Sequence, residues 1–318
     1  MKRKNIVAFS VTFVLSLGLF AGAYAALNTS FLAQKPTENA SEAPSSQTAA
    51  SQAPPDEAVT FLLCGLDESE ALTDVIMVAS LDAEAGEVNV LQIPRDTYVG
   101  VNRYPTGKIN AVYASHKKGE APIDALLSEV EHTFALQIDH YATINLPGLR
   151  RIVDSMGGVT VDIPQTIYFT EGKTIKKGEQ LLTGEKAEWF VRYRKGYDNA
   201  DIGRMHAQSL FLQACAEKVL SMSRTQLFGL VAQNYQNITT DLTAAQLMGY
   251  YGGLSGIKAE DIHFYTLEGA GVTHKGFAVY TLFAKKAADL LNEHFRPYSE
   301  RVDADGLNII ELDVPGMG

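Results

Sequence analysis

Past residue 57 the chain alternates short apolar runs with polar breaks, and the first three runs, Thr60 to Gly65, Val75 to Leu81 and Glu87 to Ile93, read as strands. The turn-like Asp82-Ala83-Glu84-Ala85-Gly86 between the last two predicts a hairpin. Apolar positions then take helical spacing from about Ala121 to Leu136, return to a strand over Ile138 to Asn145, and give a short helix, Leu146 to Met156, stopped by Gly157-Gly158. Val159 to Ile163 alternates as a strand closed by Pro164. Further helices are predicted over about Gly184 to Tyr193, Ile202 to Ser221 and Tyr280 to Phe295, with a strand around Ile262 to Leu267. Strands interspersed with helices predict an α/β fold, an α-β-α sandwich with one central mixed sheet between helical layers.

The N-terminus has a different pattern. Lys2, Arg3 and Lys4 (the basic flank, 1–5) precede an uncharged stretch over 6–27 that is long enough to cross a bilayer and predicts a single N-terminal transmembrane helix. Ala23-Tyr24-Ala25 also offers a signal-peptidase pattern, but the apolar run exceeds the core of a usual signal peptide. Either way the basic flank stays inside and the remainder is exported, which places the body of the chain outside the cell membrane, away from cytosolic ATP. Residues 28–57 are rich in Ser, Ala, Pro, Thr and Gln without apolar periodicity and read as a tether. No internal repeat or second such linker follows, so 58–318 is expected to form one domain.

Composition narrows the function classes. With 27 basic against 37 acidic side chains the net charge is −10, which excludes a nucleic-acid binder working by bulk electrostatics. Two cysteines cannot staple a scaffold of 318 residues, and Cys64 and Cys215, in apolar surroundings, read as free buried thiols. The seven histidines lack ligand spacing and read as structural or solvated. Trp189 and Phe190 read as core, and Gly178 to Lys186 departs from a P-loop in spacing and lacks its hydroxyl.

Candidate chemistry gathers where strands end. Ile93-Pro94-Arg95-Asp96 stops an apolar strand and sets a cation and an anion at its end, where open α/β sheets place their ligand crevice; a solvated loop pair is the alternative. Arg192 and Arg194 flank Tyr193, and their guanidinium groups converge if the backbone there is extended and diverge if it is helical. Asp201 is a credible N-cap, with Arg204 in the first turn and Gln208 one turn on, a geometry suited to phosphate. Asp67 follows the first strand and Asp74 opens the second. Together they suit Mg2+ facing a pyrophosphate, or else they merely begin a turn. Lys108 adds a possible phosphate contact.

A short membrane anchor followed in order by Gly65-Leu66-Asp67, Thr73-Asp74, Ile93-Pro94-Arg95-Asp96-Thr97, Lys108-Ile109-Asn110-Ala111, Gly157-Gly158-Val159, Val191-Arg192-Tyr193-Arg194 and Asp201-Ile202-Gly203-Arg204 resembles the LytR-CpsA-Psr family over about residues 60 to 222. The resemblance implies a phosphotransferase that moves a glycopolymer from an undecaprenyl-pyrophosphate carrier onto peptidoglycan and releases undecaprenyl phosphate. It implies Mg2+ on Asp67 and Asp74, and the pyrophosphate on Arg95, Arg192, Arg194, Arg204 and Gln208, with Lys108 and Asp96 in support. Glu68 and Glu70 stand where members commonly carry an arginine, and Ala207 where an arginine commonly precedes the glutamine. A carboxylate near the metal, Asp74 or Asp96, is the candidate base. Hydrolysis of the same pyrophosphate linkage, or a membrane-tethered regulatory role in the envelope, are the alternative functions.

Overall fold

Three apolar runs near the start of the body pair along their lengths because nearly every residue in them is buried, as in strands covered on both faces. A computed structural model describes residues 58–197, 200–250, 257–297 and 299–315. In it β1 (Val59–Leu66), β2 (Thr73–Asp82) and β3 (Glu87–Ile93) are successively antiparallel. β4 (His140–Ile144) lies parallel beside β1, β9 (Ile238–Thr240) closes that edge antiparallel to β4, and β10 (Ile262–Thr266) lies parallel to β3 at the other edge. The order is β10-β3-β2-β1-β4-β9, a mixed sheet as expected.

Alternation along each strand splits the core in two. Phe61, Leu63, Val75 and Met77 face one cluster with α2 (Leu146–Ser155), α3 (Gly184–Arg192), α4 (Ala200–Leu220) and α5 (Arg224–Asn234). Leu62, Cys64, Ile76 and Val78 face the other, with α1 (Pro122–Phe134) and α7 (Ala284–His294). α2 starts where the Asn145 side chain accepts from the Gly148 amide at 2.9 Å, and it stops at Gly157 and Gly158, both at positive φ.

Several expectations need correction. Tyr280 does not open a helix: it lies in β12 (Phe277–Leu282), paired with β11 (Gly269–His274), and α7 begins only at Ala284. Three small antiparallel features went unread: the β11-β12 pair, the pair of β5 (Val159–Ile163) with β8 (Gly178–Leu182), and the hairpin of β6 (Ile167–Thr170) with β7 (Lys173–Ile175). So did α5 and α6 (Ala244–Tyr250). The expected transmembrane helix at 6–27 and the linker at 28–57 lie outside the described residues. Among the described residues no helix is long and apolar enough to cross a membrane.

Candidate active site

The β2-β3 register builds the centre of the site. Ile76 faces Ile93, so two residues back along β2 and two forward past β3 bring Asp74 opposite Arg95. Both are buried, and Arg95 Nη1 donates to Asp74 Oδ1. Asp74 Oδ2 has no hydrogen-bond partner among the described residues, and Arg95 Nε has none either. A buried ion pair with an acceptor and a donor left over is costly in a structure with no further role for them. Arg204, Met205 and Gln208 approach from α4, and with Asp74, Val75, Gln92 and Arg95 they line one small cleft. Burial pushes the Asp74 carboxyl above its ordinary value, Arg95 and Arg204 oppose that shift, and Asp67 adds to it.

Asp67 lies just beyond β1 and does begin a turn: its Oδ1 accepts from the amides of Ala71 and Leu72, both at 3.0 Å, and Oδ2 accepts from the Ser69 hydroxyl at 2.7 Å. It is nonetheless close enough to act on Asp74. Among the described residues no group of three or more His, Cys, Asp and Glu side chains could cage an ion. The donor set fits a cation of the Mg2+ kind, which takes one or two carboxylates and completes its shell with phosphate oxygens and water; the spare oxygen of Asp74 is the first such donor.

Beyond β3 the chain from Thr97 pairs back on 107–110, through Val99 N to Gly107 O and Ile109 N to Thr97 O. Gly107 makes this possible: it sits at φ +66, and a Cβ there would be 2.7 Å from the Tyr98 ring. The pairing sets Lys108 Nζ 3.0 Å from Asp96 Oδ1. Lys108 and Asp96 are thus partnered with each other at the end of β3, outside the lining of the cleft.

The Arg192-Tyr193-Arg194 expectation needs revision. Arg192 ends helix α3 and Tyr193 is its extended C-cap, so Arg192 is helical and the two arginines are not alternate residues of one strand. Arg192 Nη1 donates to the buried Glu188 carboxylate one turn back at 2.5 Å, and Nη2 lies 3.4 Å from Glu68. Arg194 is half-buried past the helix end. Gln208 Nε2 donates to the Val191 carbonyl at 3.3 Å, joining α4 to the end of α3. α4 is described from Ala200, so Asp201 lies within it, and the capping role expected of its side chain lies outside the described residues.

Two site residues escaped the sequence reading. Gln92, buried on β3, donates to the Met205 carbonyl at 3.4 Å and so ties the sheet to the arginine-bearing helix. Glu188 looked like an ordinary helical residue, yet it is nearly inaccessible and also accepts from Arg150 Nε. The i,i+4 spacing of Glu188 and Arg192 was the available signal.

Comparison with known proteins bears on the family and the fold. The model of the LytR_cpsA_psr family matches residues 23–296. The polyisoprenyl-teichoic acid–peptidoglycan teichoic acid transferase TagU of Oceanobacillus iheyensis is 31% identical over 229 residues, 70% of this chain and 71% of that protein. The TagU of Bacillus mycoides is 34% identical over 197 residues, 60% of this chain and 62% of the relative. The crystal structure of B. subtilis TagV superposes with a TM-score of 0.66 at 24% identity, covering 77% of this chain and 100% of that one, a likeness of fold.

Proposed function

The chain belongs to the LytR_cpsA_psr family, and from that membership and the cleft we propose that it transfers a glycopolymer from a polyprenyl-pyrophosphate carrier, of the undecaprenyl class, onto peptidoglycan. The observation that carries this reading is the buried Asp74–Arg95 pair with its spare oxygen and spare N–H, set in one cleft with Arg204 and Gln208. An acceptor oxygen for a cation beside guanidinium donors for an anion suits a metal-bound pyrophosphate. The names of the TagU relatives support teichoic acid as the polymer and peptidoglycan as the acceptor.

In the proposed reaction a wall-sugar hydroxyl attacks the phosphorus that carries the polymer. The bond from that phosphorus to the bridging oxygen breaks, and polyprenyl phosphate leaves with the electron pair. Arg95 and Arg204 bind the pyrophosphate oxygens and oppose the charge that builds there, with Arg192, Arg194 and Lys108 as further cations for the polymer-bearing end and Gln208 fixing the helix that brings Arg204. Asp74 and Asp67 would hold Mg2+, which when bound would neutralise phosphate charge and polarise the P–O bonds. We place the proton acceptor at Asp96, beside Arg95 and partly exposed, with Lys108 on its Oδ1. The carrier's own anhydride supplies the activation, so the reaction is suited to the outer face of a membrane. Residues 6–27 are proposed as a single-pass anchor in the cell membrane and 28–57 as the tether, with the domain from 58 onward extracellular.

The test is transfer of labelled polymer from a polyprenyl-pyrophosphate donor to peptidoglycan by the full chain with Mg2+. Asp74→Asn is expected to abolish transfer together with its Mg2+ dependence. Asp96→Asn should lower kcat by roughly 10²–10⁴, the usual worth of a general base, with Mg2+ affinity retained. Release of free polymer phosphate with no label on peptidoglycan would make the chain a hydrolase.

A further inference from the structure

One carboxylate is buried under Arg150 and Arg192, and a second reaches the Arg192 guanidinium from solvent. Glu188 has a side chain 2% exposed. Its Oε1 accepts from Arg192 Nη1 and its Oε2 from Arg150 Nε, so each oxygen holds one arginine. The arrangement depends on close approach of α2 and α3: a Cβ on Gly184, at the start of α3, would lie 2.3 Å from the Arg150 carbonyl oxygen. On its other side Arg192 packs over the Phe169 ring, 5.8 Å from its centroid. Nη2 faces Glu68, which is 58% exposed and lies on the loop that carries Asp67.

The two contacts differ in kind. The Glu188 bond is short and dry and fixes where the guanidinium points. The Glu68 bond is long at 3.4 Å and wet, the class of ion pair worth little in water. Displacing Glu68 removes one negative charge from beside the Arg192 guanidinium and leaves its Nη2 facing outward. An arriving phosphate, with more charge and a better fit to the guanidinium fork than a loose carboxylate, would exchange with Glu68 and leave Glu188 in place.

We propose that Glu188 is a positioning residue that holds Arg192 for the pyrophosphate, and that Glu68 is an internal competitor occupying the same arginine until the anion displaces it. The inference rests on the proposed function, since it takes the anion to be a pyrophosphate. It assigns opposite effects to two carboxylates on one side chain. Removing Glu68 tightens binding, and removing Glu188 loosens it.

Titration calorimetry of the full chain in detergent, with inorganic pyrophosphate and geranyl pyrophosphate as probes in the presence of Mg2+, tests this. Glu68→Gln is expected to tighten both probes roughly two- to fivefold, the scale of an exposed ion pair. Glu70→Gln, a control on the same loop whose carboxylate accepts from Asn145, should leave affinity unchanged. Glu188→Gln is expected to weaken both probes about tenfold with the number of sites unchanged, and to have no further effect once Arg192→Ala is present. A purely structural Glu188 would reduce the number of sites or act equally with and without Arg192, and either result overturns its role. Should Glu188→Gln fail to fold, Glu188→Asp takes its place. Unchanged or weaker binding in Glu68→Gln, or equal tightening in Glu70→Gln, overturns the competitor. The outcomes are separable from those of the function itself: a parent that binds neither probe fails the proposed function, whereas binding lost in Arg95→Ala and Arg204→Ala but indifferent to Glu68 and Glu188 fails this inference alone.

Discussion

At the scale of single residues, the cleft depends on how Asp74 titrates. Burial lifts its carboxyl above the ordinary 3.8, against the pull of Arg95 and Arg204. A carboxyl raised in the folded state contributes stability that is fully present below the unfolded value and lost as pH climbs through the folded one. Asp74 therefore costs the cation-free fold stability at neutral pH, and a cation bound to it relieves that cost. Mg2+ is expected to raise Tm more at about pH 7.5 than at about pH 5, where protons compete for the same oxygen, and Asp74→Asn should flatten the difference. Scanning fluorimetry at both pH values checks this, and equal shifts in the parent would move the cation elsewhere. The thiols give a second expectation. Cys64 and Cys215 are buried thiols outside any disulfide, with burial pushing both up, so neither should react with a thiol reagent in the folded chain, and both should react in denaturant. Fast labelling of Cys64 or of Cys215 without denaturant would contradict the packing of the cluster that buries it, on one face of the sheet for Cys64 and on the other for Cys215.

Among the elements, α3 shows how far a short segment of sequence can be read. Its helical period was legible from Gly184 onward, and so was the hairpin whose four-residue turn sets Asp74 across from Arg95. Local pattern and local register carry such features. Unread were the contacts made at long range: Glu188 meets Arg150 across 38 positions, and Gln92 meets Met205 across 113. The misplaced start of α7 has a local cause. Tyr280 to Leu282 is apolar enough to extend a helix backward, and the partner that claims it, β11, opens Gly-Ala-Gly and shows little strand signal. Because α3 begins against the backbone of Arg150, Gly184→Ala forces the two helices apart. The expected loss is roughly 1–3 kcal/mol, as for other overpacked sites, read by urea denaturation. Arg192 rides on the same helix, so pyrophosphate affinity should fall in the same variant. A stable variant with parental affinity would show that the helices can separate without disturbing the site.

For the whole molecule, the proposed anchor, tether and domain raise a question of concentration. The proposed substrate is a lipid, and the cleft at the start of β2 and the end of β3 would have to meet its head group at the membrane surface. A coil of the composition of residues 28–57 has a root-mean-square reach of about 30 Å, which confines the domain to a shell of that depth and keeps its effective concentration at the surface high. The chain's net charge of −10 gives it no electrostatic attraction of its own to an anionic lipid surface or an anionic polymer. On this reading attachment through the anchor, more than affinity, supplies the encounter. A protease site placed within 28–57 allows the same protein to be assayed in vesicles before and after release. Turnover of a long-chain carrier embedded in those vesicles is expected to fall roughly a hundredfold or more on cleavage at sub-micromolar protein. Turnover of a short-chain, water-soluble carrier should be unchanged, because the cleft itself is intact. Equal rates on the embedded carrier before and after cleavage would show that the domain holds the membrane by its own surface, and loss of both activities would place part of the working site in the tether.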